Sequence, residues 1–198
     1  EALDEPCLLK AATLVKDLDS KVKLYNKAIT KFDSDAARFN LGTAYLNAGD
    51  LKNAEKAFAA VETKDAELDN AMGVLALRNG DFAKATSLFK KAGSDIAKTN
   101  QGIIDICTGN YDKAVEDLKD AKGCCNNTVL AYILTNQLDK AKAAAHCMDP
   151  RVTYLKAVIA ARQGNMDEVK TLLDEVAKKD KALAERATKD VEFAEYFK

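Results

Sequence analysis

A short turn that recurs along the chain constrains the fold more than any other feature of the sequence. The corresponding turn residues are spaced 31, 29, 27 and 28 residues apart, and they are Gly49, Gly80, Gly109, Asn136 and Gly164. Two helices and a turn fit this period, whereas a coiled coil repeats every seven residues. The sequence therefore predicts a tandem array of helix pairs, each stacked against the next.

The repeats also fix where small and large side chains stand. A second glycine position lies inside the first helix of three repeats, at Gly42, Gly73 and Gly102. Because glycine in a helix costs about 1 kcal/mol relative to alanine, its recurrence predicts that a neighbouring helix approaches too closely there for a side chain. The second helices carry matching alanines at Ala54, Ala85, Ala114 and Ala141. Larger residues that should fill the space between the layers are Phe58, Phe89 and Leu118.

The residues around each turn suit helix ends. Glycine adopts a positive φ that terminates the first helix, and the Asp or Asn that follows can accept hydrogen bonds from the start of the next helix. Composition agrees, since 34 of the 198 residues are Ala, the strongest helix former. We therefore predict an all-α protein without β-sheet.

The motifs of the repeats resemble those of the tetratricopeptide repeat family. Residues 39–45 read FNLGTAY and are followed by Gly49-Asp50-Leu51, Ala54 and Phe58, which is close to the family consensus. The resemblance covers roughly residues 35–178 and implies a right-handed α-solenoid of antiparallel helix pairs, with about 13 or 14 helices. The repeats are shorter than the family period of about 34 residues, and the usual turn proline is missing except at Pro150.

The chain outside the repeats is predicted to close the two ends of the array. Residues 1–34 look like a degenerate opening helix pair, residues 35–178 form five repeats, and residues 179–198 supply closing helices. No Pro- or Ser-rich linker interrupts the chain, so we expect one domain over residues 1–198.

The family resemblance implies that the first helices of the pairs line a concave groove for a peptide or helix of a partner protein. The residues expected in this groove are Phe39, Asn40, Thr43, Leu46, Val74, Leu77, Arg78, Asn100, Ile103, Ile106, Asn127, Leu130, Ile133, Tyr154, Val158 and Arg162. Arg78 and Arg162 each stand at the end of a first helix, where they could orient carboxylates of the partner. Two alternatives stay open: these arginines pair with neighbouring acids, or the C-terminal helix of the chain fills the groove.

These features favour a non-enzymatic scaffold for protein–protein interaction, whose partner is another protein or other domains of a longer chain. The alternatives are a helical-repeat RNA-binding protein and an interaction appendage of a larger enzyme. Thirty basic and 31 acidic residues give a net charge of −1, which argues against nucleic acid as the partner. The lone His146 and the lack of catalytic or metal-binding motifs predict no catalytic residues, no metal and no cofactor.

The five cysteines form no CxxC pair. In a helix pair the start of the first helix lies beside the end of the second, so Cys124 or Cys125 could form a disulfide with Cys147 if the protein is exported. The repeats and the closing residues 190–193 look like those of bacterial cell-envelope members of the family. That likeness favours the cell envelope, with the cytoplasm as the alternative. The longest apolar stretches, such as residues 157–161, are far shorter than the roughly 20 residues that a bilayer crossing needs, so we expect no insertion into the membrane.

Overall fold

The computed structural model describes residues 4–121 and 126–198, which form helices joined by short turns. Thirteen α-helices lie in these ranges, with a short 3₁₀ helix near the C-terminus, and no strand occurs among the residues described. The all-α prediction and the expected number of helices are confirmed.

The described residues group into two compact units, Glu1–Asn100 and Gln101–Lys198. The boundary falls within α7, and the assignment of the whole chain to one domain stays a prediction. Unit 1 contains α1 to α6, whose bounds are Glu5–Leu14, Leu18–Phe32, Asp35–Ala48, Leu51–Ala59, Ala66–Arg78 and Phe82–Ala92. The helix at the boundary, α7, spans Asp95–Cys107. Unit 2 contains α8 to α13 and the 3₁₀ helix, whose bounds are Tyr111–Leu118, Asn126–Leu134, Leu138–Ala144, Pro150–Arg162, Met166–Lys179, Lys181–Ala187 and Val191–Phe193.

The five predicted repeats correspond to the pairs α3–α4, α5–α6, α7–α8, α9–α10 and α11–α12. We call α3, α5, α7, α9 and α11 the first helices, and their partners the second helices. Every predicted turn residue has a positive φ, from 81° at Gly49 to 56° at Asn136, the copy without glycine. Asparagine tolerates this conformation better than most residues, which explains why the turn survives there.

Most of the residues after the turns cap the second helices as predicted. Side-chain oxygens of Asp50, Asp81 and Asn165 accept hydrogen bonds from backbone N–H groups three residues later. Asn110 is an exception, because its amide donates to the Thr108 hydroxyl at 2.9 Å and makes no cap bond to α8. The prediction of a cap is therefore wrong at Asn110, because its side chain bonds to the Thr108 hydroxyl in the turn instead.

The mid-helix glycines are confirmed as sites of close packing, and the contacting group is identified. A Cβ added at Gly42 would lie 2.6 Å from the Phe58 ring, and one added at Gly73 would lie 2.4 Å from the Phe89 ring. The alanines of the second helices, at Ala54, Ala85, Ala114 and Ala141, are fully buried. Each of these glycines therefore receives the large side chain of its own repeat, and this contact sets the spacing of the two helices in a pair.

Candidate functional site

The first helices of unit 1 present a mixed surface. On α3 and α5, the half-buried residues among those predicted to contact a partner are Phe39, Asn40, Thr43, Val74 and Leu77. Leu46 is only 5% exposed and belongs to the core around Phe58. It lies beneath the surface and could touch a partner only if its neighbours moved.

Two open pockets lie on either side of Asn40. One, of about 460 Å³, is lined by Asn40 and Thr43 together with Lys16 and Lys21 of the preceding helix pair and its connection. The other, of about 330 Å³, is lined by Asn40 with Asp35, Asp65 and Glu67. The surface near Asn40 thus offers lysines on one side and carboxylates on the other. Neither the lysines nor the acids of these pockets were predicted from the repeats.

Two further predicted residues of unit 1 bond within the protein. The Arg78 guanidinium donates to the backbone carbonyl of Leu46, near the end of the preceding first helix. The Asn100 amide donates to the Asn70 side-chain oxygen at 3.0 Å. Both bonds tie neighbouring first helices together, so part of the hydrogen-bonding capacity of Arg78 and Asn100 is already used.

In unit 2 the predicted residues divide between core and surface. Ile103 and Ile106 are half-buried, and Ile106 packs against the buried side chains of Ala114, Leu118 and Ala131. A substitution at Ile106 would therefore disturb the core as well as the surface.

A pocket of about 360 Å³ opens over α9 and α11. Its floor includes the predicted residues Ile133, Tyr154 and Val158, which are 1%, 6% and 5% exposed, and the half-buried Asn127 and Leu130. The arginines that line it are Arg151, Arg162 and Arg186. We call this the unit 2 pocket.

The C-terminal segment, residues 188–198, supplies one wall of this pocket. Arg162 holds the Glu192 carboxylate through Nε and Nη2, with Nε 3.0 Å from Oε2, and its Nη1 donates to the Ile133 carbonyl at 2.7 Å. The Tyr154 hydroxyl donates to the Asp190 carboxylate. Burial and this bond to Asp190 raise the pKa of Tyr154, and the bond to Glu192 raises the pKa of Arg162. Both groups therefore keep their protons at neutral pH.

Phe193 anchors the same segment. Its ring is 1% exposed and meets the Tyr154 ring edge-on, with the centroids 5.4 Å apart. At α11, then, Arg162 pairs with an acid, and that acid belongs to the C-terminal segment, which lines one side of the pocket without filling it.

Several residues that line the unit 2 pocket were not predicted from the sequence. Leu183, Arg186, Asp190 and Glu192 line the unit 2 pocket, although the repeat pattern ends before them. The pairing of Arg162 with Glu192, 30 residues later, leaves no periodic signal in the sequence. The acidic and aromatic character of residues 190–193 was the one available indication.

The candidate disulfide stays a prediction, because it involves residues outside the described ranges. Cys124 and Cys125 lie outside the described residues, and Cys147 is half-buried in the connection before α11. Within residues 4–121 and 126–198, no three His, Cys, Asp or Glu side chains are grouped to hold a metal ion. No helix in the same ranges has both the length and the hydropathy that a bilayer crossing requires.

Comparison with known proteins identifies the repeats. Residues 22–69 match the family model described as Tetratricopeptide repeat, across α2 to α5. No curated protein matches the sequence. The five helix pairs follow the same plan, so the chain has the fold of tetratricopeptide-repeat proteins.

Solved structures share the fold over nearly the whole chain. A chain of the APC/C hetero-tetramer Cut9-Hcn1 superposes with a TM-score of 0.80 at 12% identity, over 98% of this chain and 42% of that one. PilW, a widely conserved type IV pilus biogenesis factor, gives a TM-score of 0.74 at 17% identity, over 90% of this chain and 94% of PilW. A tetratricopeptide repeat protein from Parabacteroides merdae gives 0.54 at 14% identity, over 91% and 96% of the two chains. At these identities the likeness establishes the fold.

Proposed function

We propose that this chain is a non-enzymatic protein-interaction scaffold, which binds a peptide or helix of a partner protein on the exposed surface of its first helices. One observation carries the proposal. In unit 2 the surface of α11 already holds a short protein segment through an arginine–glutamate pair, a tyrosine–aspartate hydrogen bond and a buried aromatic ring.

The surface has the composition that protein recognition requires. Half-buried apolar side chains such as Leu77 and Leu130 stand beside asparagines and arginines. Apolar anchors surrounded by polar groups are typical of binding sites for proteins, since the apolar groups supply affinity and the polar groups fix the register. The Cut9-Hcn1 structure, whose chain shares this fold, is a hetero-tetramer.

The proposal is tested by placing a charge on this surface. Affinity purification with the protein as bait identifies a partner, and the purified partner is then titrated against Leu77→Glu and Leu130→Glu. We expect at least one of these variants to weaken binding by about tenfold or more, because a buried contact at an interface contributes over 1 kcal/mol.

Leu14→Glu is the matched control, because Leu14 is 74% exposed on α1 and lies outside the first helices. It should bind like the unmodified protein, and circular dichroism should show the same helical content in all three variants. Unchanged binding by both Leu77→Glu and Leu130→Glu would place the interaction elsewhere on the protein.

A further inference from the structure

We infer that the unit 2 pocket selects a partner segment in which a carboxylate lies next to a branched apolar side chain, with Arg186 as the group that binds the carboxylate. This inference rests on the proposed function, and it names the chemistry of the partner.

One of the arginines that line the pocket forms no ion pair with a described acidic residue. Of the five arginines in the chain, three line this pocket. Arg162 is paired with Glu192, and Arg151 grips Asp149 through Nε at 3.0 Å and Nη2 at 2.7 Å. Arg186, on α13, makes no ion pair with any residue that the structure describes.

The acids that line the pocket are already bonded to groups other than Arg186. Asp190 accepts from the Tyr154 hydroxyl and from the Glu192 backbone N–H, and Glu192 is held by Arg162. An incoming carboxylate therefore meets an arginine whose donors are available. A guanidinium matches a carboxylate in shape and can bind it through two parallel hydrogen bonds.

The rest of the lining requires an apolar group close to that carboxylate. The leucines of the pocket are half-buried, and they are Leu130, Leu134, Leu155 and Leu183. Val191 stands at the rim with 83% of its surface exposed, although it is an apolar residue on an ordered segment. A branched apolar side chain placed here would cover these groups and remove apolar surface from water, which favours binding.

The size and charge of the pocket favour a peptide over other ligands. A volume of about 360 Å³ suits one or two side chains. A nucleic acid would need a row of basic groups for its phosphates, whereas this pocket has one arginine without an ion pair among mostly apolar lining residues. The C-terminal segment, already bound to the adjacent part of α11, shows that acidic and apolar side chains together fit this surface.

The test uses a fluorescein-labelled peptide with the sequence Ser-Gly-Glu-Leu-Glu-Leu-Gly-Ser and an amidated C-terminus. Fluorescence anisotropy measures its binding to the 198-residue protein. A second peptide with Gln in place of both Glu residues, and a third with Ser in place of both Leu residues, should each bind about tenfold or more weakly. This magnitude follows from the loss of a charge-assisted hydrogen bond in one case and of apolar burial in the other.

Two pairs of protein variants locate the site. Arg186→Gln should weaken binding of the Glu-Leu peptide by about tenfold. Lys189→Gln is its control and should leave binding unchanged, because it removes the same charge at a nearby residue that does not line the pocket. Val191→Asp should also weaken binding, whereas Met148→Asp, at a residue 87% exposed outside the pocket lining, should not. Equal losses from Arg186→Gln and Lys189→Gln would indicate general charge attraction and overturn the inference, as would a peptide that does not bind.

Failure of this inference can be distinguished from failure of the proposed function. If the peptide does not bind but partner binding still responds to Leu77→Glu or Leu130→Glu, the specificity assigned to the pocket is wrong and the scaffold function stands. If neither substitution changes the affinity for the partner, the proposed function itself is wrong.

Discussion

At the scale of single residues, a glycine facing a bulky side chain is the device that holds each helix pair together. The sequence revealed the glycines because they recur at one position in three repeats, and a cost of about 1 kcal/mol each calls for a reason. The sequence could not reveal that the group touching each glycine is the large side chain of the same repeat. Spacing shows which residues share a helix face, but it does not show how closely two faces pack. In the structure, the Phe89 ring packs directly on Gly73 and is only 2% exposed.

The first prediction concerns this contact. Gly73→Ala should lower the free energy of unfolding by about 1–3 kcal/mol, because the new Cβ overlaps a buried ring that has no room to move. In a Phe89→Ala background the ring is gone, and the same substitution should be neutral or stabilising by up to about 1 kcal/mol through helix propensity. Urea unfolding of the four proteins measures the difference. An equal cost in both backgrounds would rule out the ring as the obstacle.

A second residue-scale prediction concerns Asp117 of α8. Burial, with a hydrogen bond to Asp105 and the charge of that residue, raises the pKa of Asp117. Asp105, on α7, is 2% exposed, and its carboxylate lies 3.7 Å from the Lys113 ammonium, which offsets part of the repulsion. Because the folded-state pKa of Asp117 is raised, its contribution to stability is fully present below the unfolded value near 3.8 and is lost as pH rises through the folded value.

Asp117→Asn should therefore raise the melting temperature at pH 7, and the gain should shrink as the pH falls towards 4. Asp112→Asn, at an exposed carboxylate in the first turn of the same helix, is the control and should not be stabilising. A gain at Asp117 that does not depend on pH would mean that repulsion between carboxylates is not its cause.

At the scale of helices and their connections, one carboxylate joins a first helix to the loop that follows its partner. Asp35, the first residue of α3, accepts the backbone N–H groups of Glu62 and Thr63 at 2.7 and 2.8 Å. These two bonds lower the pKa of Asp35 to about 2. A contact between residues 27 positions apart in the sequence has no local signature, so the sequence pattern did not predict it.

Asp35→Asn should destabilise the protein by about 1–2 kcal/mol at pH 7, since charge-assisted bonds to two backbone donors are weakened. Because the folded-state pKa is depressed, this stability is present above about pH 4 and is lost as the pH falls towards 2. Urea unfolding at pH 7 and at pH 2 measures it. A penalty of the same size at both pH values would contradict the role of the charge.

The C-terminal segment is the element that the repeat pattern described least well. Its residues 190–193 were expected to form a closing helix, and they form a 3₁₀ turn that packs on α11. The repeat pattern carries no information on this segment because it does not belong to a repeat. The position of the segment depends on contacts between residues far apart in the sequence, such as the ion pair of Arg162 with Glu192.

Phe193→Ala should lower the free energy of unfolding by about 3 kcal/mol, because it removes a buried ring from the core of unit 2. Phe197→Ala makes the same chemical change at a ring that is 46% exposed, and it should cost well under 1 kcal/mol. Thermal unfolding compares the two. Similar losses from both variants would show that the segment is not anchored through Phe193.

At the scale of the whole molecule, the sequence predicted the repeats well and the exposure of the proposed binding residues less well. Turn residues and mid-helix glycines recur, so the helix pairs could be read from spacing alone. The exposure of a side chain on a first helix depends on what packs over it, which the repeat pattern does not show. Four of the predicted residues are buried although they share a helix face with exposed residues, and they are Leu46, Ile133, Tyr154 and Val158. The net charge of −1 is consistent with a protein partner.

Binding of partners to the first helices is the central claim, and site-specific photo-crosslinking measures it directly. A benzoylphenylalanine placed at Thr43 or Asn127, both half-buried on first helices, should crosslink to the purified partner. The same group at Lys52 or Lys170, both exposed on second helices, should give little or no crosslinked product. Strong crosslinks from Lys52 or Lys170 with none from Thr43 or Asn127 would contradict the central claim.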